Sequence, residues 1–314
     1  MLIKIFKSNQ KLVNAFVLVL AILLWLPSFF IDREGVVSNF ISTNYYWLDM
    51  IIAILLISFQ AIYINIIVNE FKLIENNTHL TSLIFVVFNS CLSIFFNLNE
   101  IIIANCFVLL AVHQTLKLYD NKGGYALFFN AGFLISIAAL IYTPYVVFLL
   151  LIFFALFYLI TPQWRDFVIT LIGFSVPIFF VFSFNFFFDY ETILEKQIYP
   201  VILFNVTWGD FTTINKSLII VLATIVTVAL LKLVPGLNSG AIKIQKMLVL
   251  VVMFFLIGLT TLLLNNVDYL ATFIVLIIPT SIIVAKFFQQ LKKQWLSEII
   301  FATILVLVIG GYFS

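Results

Sequence analysis

Apolar residues in this chain form long runs, and most charged residues lie in the stretches between the runs. The uncharged runs reach about 18 to 22 residues, roughly the length of an α-helix that crosses the hydrocarbon core of a bilayer. The pattern therefore predicts eleven membrane-spanning helices. Their predicted positions are about 12–31, 47–68, 81–97, 100–118, 125–143, 145–161, 167–188, 217–234, 247–265, 268–287 and 297–313.

The runs are apolar on every side, and this excludes a membrane β-barrel. The segment "YVVFLLLIFFALFYLI", residues 145–160, lacks the alternation of apolar and polar positions that barrel strands require. The two longest polar connections, at about 69–80 and 189–216, are too short to bury a core of their own. The sequence thus predicts an all-α fold, a polytopic transmembrane helical bundle that forms a single domain over residues 1–314.

Composition narrows the classes of function. The chain is 64% hydrophobic and only 10% charged, so a water-soluble form would expose large apolar patches. Its net charge of +2 gives no basic excess for nucleic acid, and no such partner is expected. Cys91 and Cys106 lie inside predicted spans, where a cysteine behaves as a small buried hydrophobe. No metal-ligand spacing is visible, and no metal site is predicted.

The distribution of basic residues predicts the orientation. If the N-terminus is cytoplasmic, thirteen of the sixteen lysines and arginines face the cytoplasm, and only Arg33, Lys196 and Lys216 face outward. This bias follows the positive-inside rule. Abundant Phe, Ile, Asn and Lys are typical of an AT-rich bacterial genome, so we expect a multi-pass protein of the bacterial inner membrane. The predicted inner residues are Lys4, Lys7, Lys11, Lys72, Lys117, Lys122, Arg165, Lys232, Lys243, Lys246, Lys286, Lys292 and Lys293.

Polar residues within the predicted spans are mostly amides. Interhelical hydrogen bonding is the expected role of Asn65, Asn89, Asn105, Asn130 and Asn185. His113 and Lys117 share one helical face near the inner end of a span, and a structural role is preferred because no span centre supplies a partner acid for a proton relay. His79, in the inner connection, is interpreted as an interface residue rather than a ligand.

The first predicted outer connection begins with "DREG" and carries the candidate catalytic residues. Asp32 and Glu34 are two positions apart, so an extended loop directs both carboxylates to the same side. Carboxylates beside a cation can activate an acceptor hydroxyl or hold a divalent metal, while Arg33 meets a phosphate. The competing interpretation is a plain solvent-exposed helix end, because outer loops carry acids for topological reasons.

Residues 130–177, "NAGFLISIAALIYTPYVVFLLLIFFALFYLITPQWRDFVITLIGFSVP", resemble the middle of multi-span glycosyltransferases of the GT-C superfamily. In that pattern a glycine-bearing span ends at a proline, and a second, strongly apolar span crosses the membrane in the opposite direction. A basic turn then leads into the next span. Here Gly132, Pro144 and Arg165 stand at those positions. GT-C enzymes also place an acidic motif directly after their first span, where Asp32 and Glu34 lie. Their first outer loops are usually longer than residues 32–46.

The same stretch, preceded by "LLAVHQTLKLYDNKGG", also resembles an uncharacterised inner-membrane family of flavobacteria and related Bacteroidetes. That resemblance spans most of the chain and implies no activity. The GT-C resemblance covers about half of the chain and implies a GT-C-like arrangement of helices.

Three functional hypotheses follow. The first is a GT-C-like transferase that uses a polyprenyl-phosphate sugar at the outer leaflet, with Asp32 as base or metal ligand, Glu34 assisting, and Arg33, Lys196 or Lys216 at the lipid phosphate. A divalent metal belongs to this hypothesis alone, and no other cofactor is expected. The second is a non-catalytic subunit or scaffold that binds other cell-envelope membrane proteins. The third, a transporter, is ranked last because the spans offer mainly scattered asparagines.

Overall fold

The computed structural model describes residues 12–29, 46–74, 78–91, 98–120, 124–188, 213–236, 241–262, 272–291 and 294–311. Within these residues every regular element is helical. Two 3-10 helices occur, at Leu26–Phe29 and Thr143–Phe148. The α-helices are α1 (Leu12–Trp25), α2 (Tyr46–Glu70), α3 (Leu80–Asn89), α4 (Glu100–Lys117), α5 (Tyr125–Ile141), α6 (Leu149–Leu159), α7 (Trp164–Phe188), α8 (Thr213–Gly236), α9 (Ile242–Thr261), α10 (Ile274–Gln290) and α11 (Gln294–Gly311).

Each of the eleven predicted spans corresponds to one of these α-helices, so the all-α prediction is confirmed. Five helices, α2, α4, α7, α8 and α9, are long and apolar enough to cross a membrane, which is compatible with membrane insertion. The other six are apolar but shorter. The shortest is α3, whose ten residues rise about 15 Å, half of the hydrocarbon core. Its predicted span was 81–97, and residues 92–97 lie outside the described residues.

The chain divides into two compact units. Unit 1 comprises Met1–Asn99, Val206–Val251 and Ile277–Ser314. In this unit α2 packs against α1 and α3, α1 also contacts α3, and α8 packs against α11. Every residue of α3 is buried, and Trp25, Ile57 and Ile64 are among the largest fully buried side chains.

Unit 2 comprises Glu100–Asn205 and Val252–Leu276. In this unit α5 packs against α4, α6 and α7. A small apolar core joins the end of α4 to α5 and α6, with further partly buried side chains around it. Its buried members are Leu118, Phe128 and Leu156, and those packed against them are Leu127, Phe153, Ile160, Phe167 and Ile169.

The predicted inner ends of the helices meet within each unit. The apolar core of unit 2 contains Leu118 from the predicted inner end of α4 and Phe128 from that of α5. In unit 1 the Nζ atom of Lys286, on α10, donates to the carbonyl of Leu73, just beyond α2, over 3.0 Å. These contacts are compatible with the alternation of inner and outer ends that the basic residues predict.

Candidate functional site

The residues predicted to form a site lie mostly outside the described residues. This holds for Asp32, Arg33, Glu34 and Lys196. Lys216 is described, and it lies half-buried near the start of α8 in unit 1. The predicted catalytic and phosphate-binding set therefore stays a prediction, with Lys216 its one member among the described residues. Among them, no group of three His, Cys, Asp or Glu side chains is placed to hold a metal ion.

An open and nearly flat apolar surface, here called the α7 groove, lies along one face of α7. Its lining comes from α7 alone, at spacings of three and four residues that fall on a single stripe of the helix. Several lining residues are highly exposed, Ile172 by 52% and Phe179 by 67%. In a membrane protein, lipid or a partner helix covers such a stripe. The lining residues are Val168, Leu171, Ile172, Ser175, Val176, Phe179 and Phe180.

The start of α7 is fixed by Asp166. Its Oδ2 accepts a hydrogen bond from the backbone N–H of Gln163 over 2.8 Å, which is one half of a capping box. An acid in the first turn also interacts favourably with the helix dipole. The hydroxyl of Thr170 donates to the Asp166 carbonyl over 2.8 Å. The "PQWRDF" turn of the sequence thus sets where α7 begins.

Two glycines fix which face of α7 is buried. A Cβ atom on Gly173 would overlap the Phe129 carbonyl of α5, and one on Gly132 of α5 would overlap the Thr170 carbonyl of α7. The two backbones therefore touch at this crossing, which a larger side chain in either place would prevent. Pro177 is buried on the same side of α7. The groove lies on the side of α7 that this contact leaves open.

The C-terminal third of α7 is an exposed aromatic segment. Its phenylalanines reach 80% exposure at Phe187, and Asn185 is the buried residue among them. The segment ends at Phe188, directly before the predicted outer connection of about 189–216. An apolar surface therefore leads from the groove to the residue where that connection begins. The exposed members are Phe179, Phe180, Phe182, Phe184, Phe186, Phe187 and Phe188.

Asn105 ties three parts of unit 2 together. The Tyr145 hydroxyl donates to its Oδ1, and its Nδ2 donates to the Ile274 carbonyl over 3.2 Å. This matches the interhelical role expected of the asparagines. Asn89 differs, because its Nδ2 donates to the Phe85 carbonyl of its own helix over 3.0 Å. Asn130 also differs in being exposed.

In unit 1, Asn65 of α2 contacts His79, the residue before α3. The Asn65 Nδ2 and the His79 Nδ1 are 3.0 Å apart, so a neutral His79 accepts the hydrogen bond. Burial lowers the pKa of His79 and thereby favours the neutral form. Both side chains are more than nine-tenths buried. His79 is thus an interface residue, and the contact secures the α2–α3 connection.

Reasoning from the sequence missed the α7 groove and the Lys286–Leu73 contact. The spacing of the groove residues is visible in the sequence, but the other sides of α7 are equally apolar and hide it. Lys286 and Leu73 are 213 residues apart, and no local pattern links them.

No curated protein and no solved structure matches the chain. A family model does match it, over residues 1–314, and describes a family of unknown function. The expectation of an uncharacterised family is thereby confirmed, while the flavobacterial grouping and the GT-C likeness remain predictions. The chain belongs to the family of unknown function DUF6427.

Proposed function

We propose that this protein is a multi-pass protein of the bacterial inner membrane that transfers a sugar from a polyprenyl-phosphate carrier at the outer leaflet. The α7 groove carries the proposal, because it offers an extended exposed apolar surface along which an isoprenoid chain can lie. The GT-C resemblance supplies the chemistry, with Asp32 as base and Glu34 assisting. Arg33, Lys196 and Lys216 are the proposed phosphate-binding residues.

The apolar face of α7 is long enough to hold an isoprenoid chain. In the proposed topology α7 begins inside at Arg165 and ends outside at Phe188. From Val168 to Phe180 the helix rises about 18 Å, and to Phe188 about 30 Å, the thickness of a hydrocarbon core. In the sequence, this face is followed directly by the connection that contains Lys196 and leads to Lys216.

The proposed step is a substitution at the anomeric carbon of the sugar. The oxygen of an acceptor hydroxyl forms the new bond, and the bond from the anomeric carbon to the phosphate oxygen breaks. Polyprenyl phosphate leaves with the bonding electron pair, and Asp32 takes the proton of the acceptor. The outer cations stabilise the charge on the departing phosphate.

The test is release of polyprenyl phosphate by the purified full chain, supplied with a polyprenyl-phosphate hexose radiolabelled in its lipid and with glycan acceptors. We expect Asp32→Asn to lower turnover by about 100-fold or more, since a positioned general base contributes roughly that much. Asp49→Asn is the matched control, an acid near the predicted outer start of α2. Turnover in Asp32→Asn equal to that of the unaltered chain contradicts the proposal, as does the lack of any release.

The second candidate, a non-catalytic subunit of a cell-envelope complex, is favoured by the spacing within the groove. A stripe whose members lie three and four positions apart, as here, is the kind of face with which one helix packs against another. On this proposal a helix of a partner protein lies along α7.

A photo-crosslinking amino acid at Ile172 or Phe179 separates the two candidates. The transferase proposal predicts adducts of lipid mass in cells, and the subunit proposal predicts a discrete protein adduct. The control position is Leu55, 62% exposed on α2 of unit 1. Protein adducts of equal yield at Leu55 and at Phe179 count against a specific partner on α7.

A further inference from the structure

Lys72 holds a backbone position that ordinarily suits glycine. Its φ is 52°, in the left-handed region, directly after the end of α2. Its N–H donates to the Asn69 carbonyl over 3.3 Å, and the N–H of Leu73 donates to the Val68 carbonyl over 3.0 Å. This pair of bonds is a Schellman motif, with Lys72 at the position where glycine is usual. A lysine there is strained relative to glycine.

The turn that contains Lys72 is held in place by a hydrogen bond to the next residue, Leu73. The carbonyl of Leu73 accepts the hydrogen bond from the buried Lys286 of α10. Lys286 is therefore committed to the turn itself. Lys72, in contrast, is exposed. The lysine that the backbone disfavours is thus the one whose side chain is available to solvent or headgroups.

Other lysines of unit 1 gather at the same end. The Lys232 Nζ of α8 lies 5.2 Å from the centroid of the Phe287 ring, and Phe287 directly follows Lys286 in α10. Lys243 and Lys246 lie in the first turns of α9, which follows α8 after a short connection. Five of the six lysines that unit 1 shows in its described residues are therefore on the predicted inner side, Lys216 being the sixth.

We propose that this end of unit 1 binds the headgroups of anionic phospholipids, with Lys72 and Lys232 contacting the phosphates. The positive charge of this end favours an anionic ligand, because Glu70 and Glu298 are the only acids described there. In the proposed topology the end is cytoplasmic, where anionic lipids attract basic residues. The ring of the buried Phe287 lies beside Lys232 and fixes this lysine at the same end as Lys286. The proposal does not depend on sugar transfer, so failure of the turnover assay leaves it intact.

The test is native mass spectrometry of the full chain with phosphatidylglycerol or phosphatidylcholine at equal concentrations. We expect the unaltered chain to bind phosphatidylglycerol more tightly. Each lysine near an anionic surface contributes about fivefold in affinity, so Lys72→Asn lowers phosphatidylglycerol affinity about fivefold and Lys72→Asn with Lys232→Asn about 25-fold. Affinity for phosphatidylcholine stays constant.

The variants at Lys72 separate charge from backbone. Asparagine and glycine both tolerate the left-handed conformation, so Lys72→Asn and Lys72→Gly are expected to keep the fold and lose affinity equally. Lys72→Arg keeps the affinity, and Glu70→Gln raises it. Equal affinity of the unaltered chain for both lipids overturns the proposal. So does unaltered phosphatidylglycerol affinity in the double variant, or a loss in Lys72→Gly that Lys72→Asn does not share.

Discussion

The α5–α7 contact of unit 2 and the α2–α3 contact of unit 1 join helices by different means. Between α5 and α7, Gly132 and Gly173 let the two backbones touch. Between α2 and α3, the hydrogen bond of Asn65 to His79 crosses the connection. One contact depends on the absence of side chains and the other on two polar side chains.

For helices inserted in a bilayer, as proposed for this chain, the difference follows from the solvent. Lipid tails are as apolar as the helix surfaces, so burial of apolar side chains supplies little drive for helices to associate. Close approach of the backbones and hydrogen bonds between side chains stabilise helix association instead. Because backbone atoms cannot rotate away, the α5–α7 contact tolerates no added volume. Because imidazole titrates, the α2–α3 contact depends on pH.

The largest expected effect is at the α5–α7 contact. Gly173→Val places a Cβ against the Phe129 backbone, and Gly132→Val places one against the Thr170 backbone. Since neither neighbour is a flexible side chain, the helices must separate, and we expect a loss of at least about 2 kcal/mol in the free energy of unfolding. Denaturation of the detergent-purified protein by SDS, followed by circular dichroism, measures it.

Gly258→Ala is the matched control for that prediction. A Cβ on Gly258 meets the Leu276 Cδ2 atom at 2.8 Å, and this is the end of a side chain that can rotate. The expected change is below about 1 kcal/mol, since alanine also favours the helix. Equal losses for Gly258→Ala and the two valine variants would show that backbone contact is not what limits the α5–α7 crossing.

The positions of the helices could be predicted from the sequence, and their partners could not. An apolar run of fixed length predicts a helix whatever it packs against, so every predicted span has its α-helix. Gly132 was singled out in the sequence, but nothing there shows that Gly173 faces it. Pairing depends on which residues meet in three dimensions, and lipid-facing and core-facing sides are almost equally apolar in this chain.

The candidate site, too, could be predicted from the sequence only in part. Asp32, Glu34 and Arg33 stand out in the sequence because charge is scarce, and they lie outside the described residues. The α7 groove has no polar residue to mark it apart from Ser175, whose hydroxyl is bonded to the Leu171 carbonyl of its own helix. An apolar surface in an apolar chain leaves no contrast for the sequence to display.

The smallest expected effect is the pH dependence of the α2–α3 contact. Burial holds the pKa of His79 in the folded protein below its value in the unfolded chain, about 6.5. The stabilisation by neutral His79 is therefore fully present above about pH 6.5 and is lost as the pH falls through that value toward the lowered pKa. A protonated Nδ1 also no longer accepts the hydrogen bond from Asn65.

Melting temperatures measured from pH 8 to pH 5 should fall more for the unaltered chain than for His79→Gln, whose side chain does not titrate. Since other groups titrate equally in both proteins, the difference between the two slopes isolates His79. Parallel slopes would show that the α2–α3 contact is as indifferent to pH as the glycine contact of unit 2.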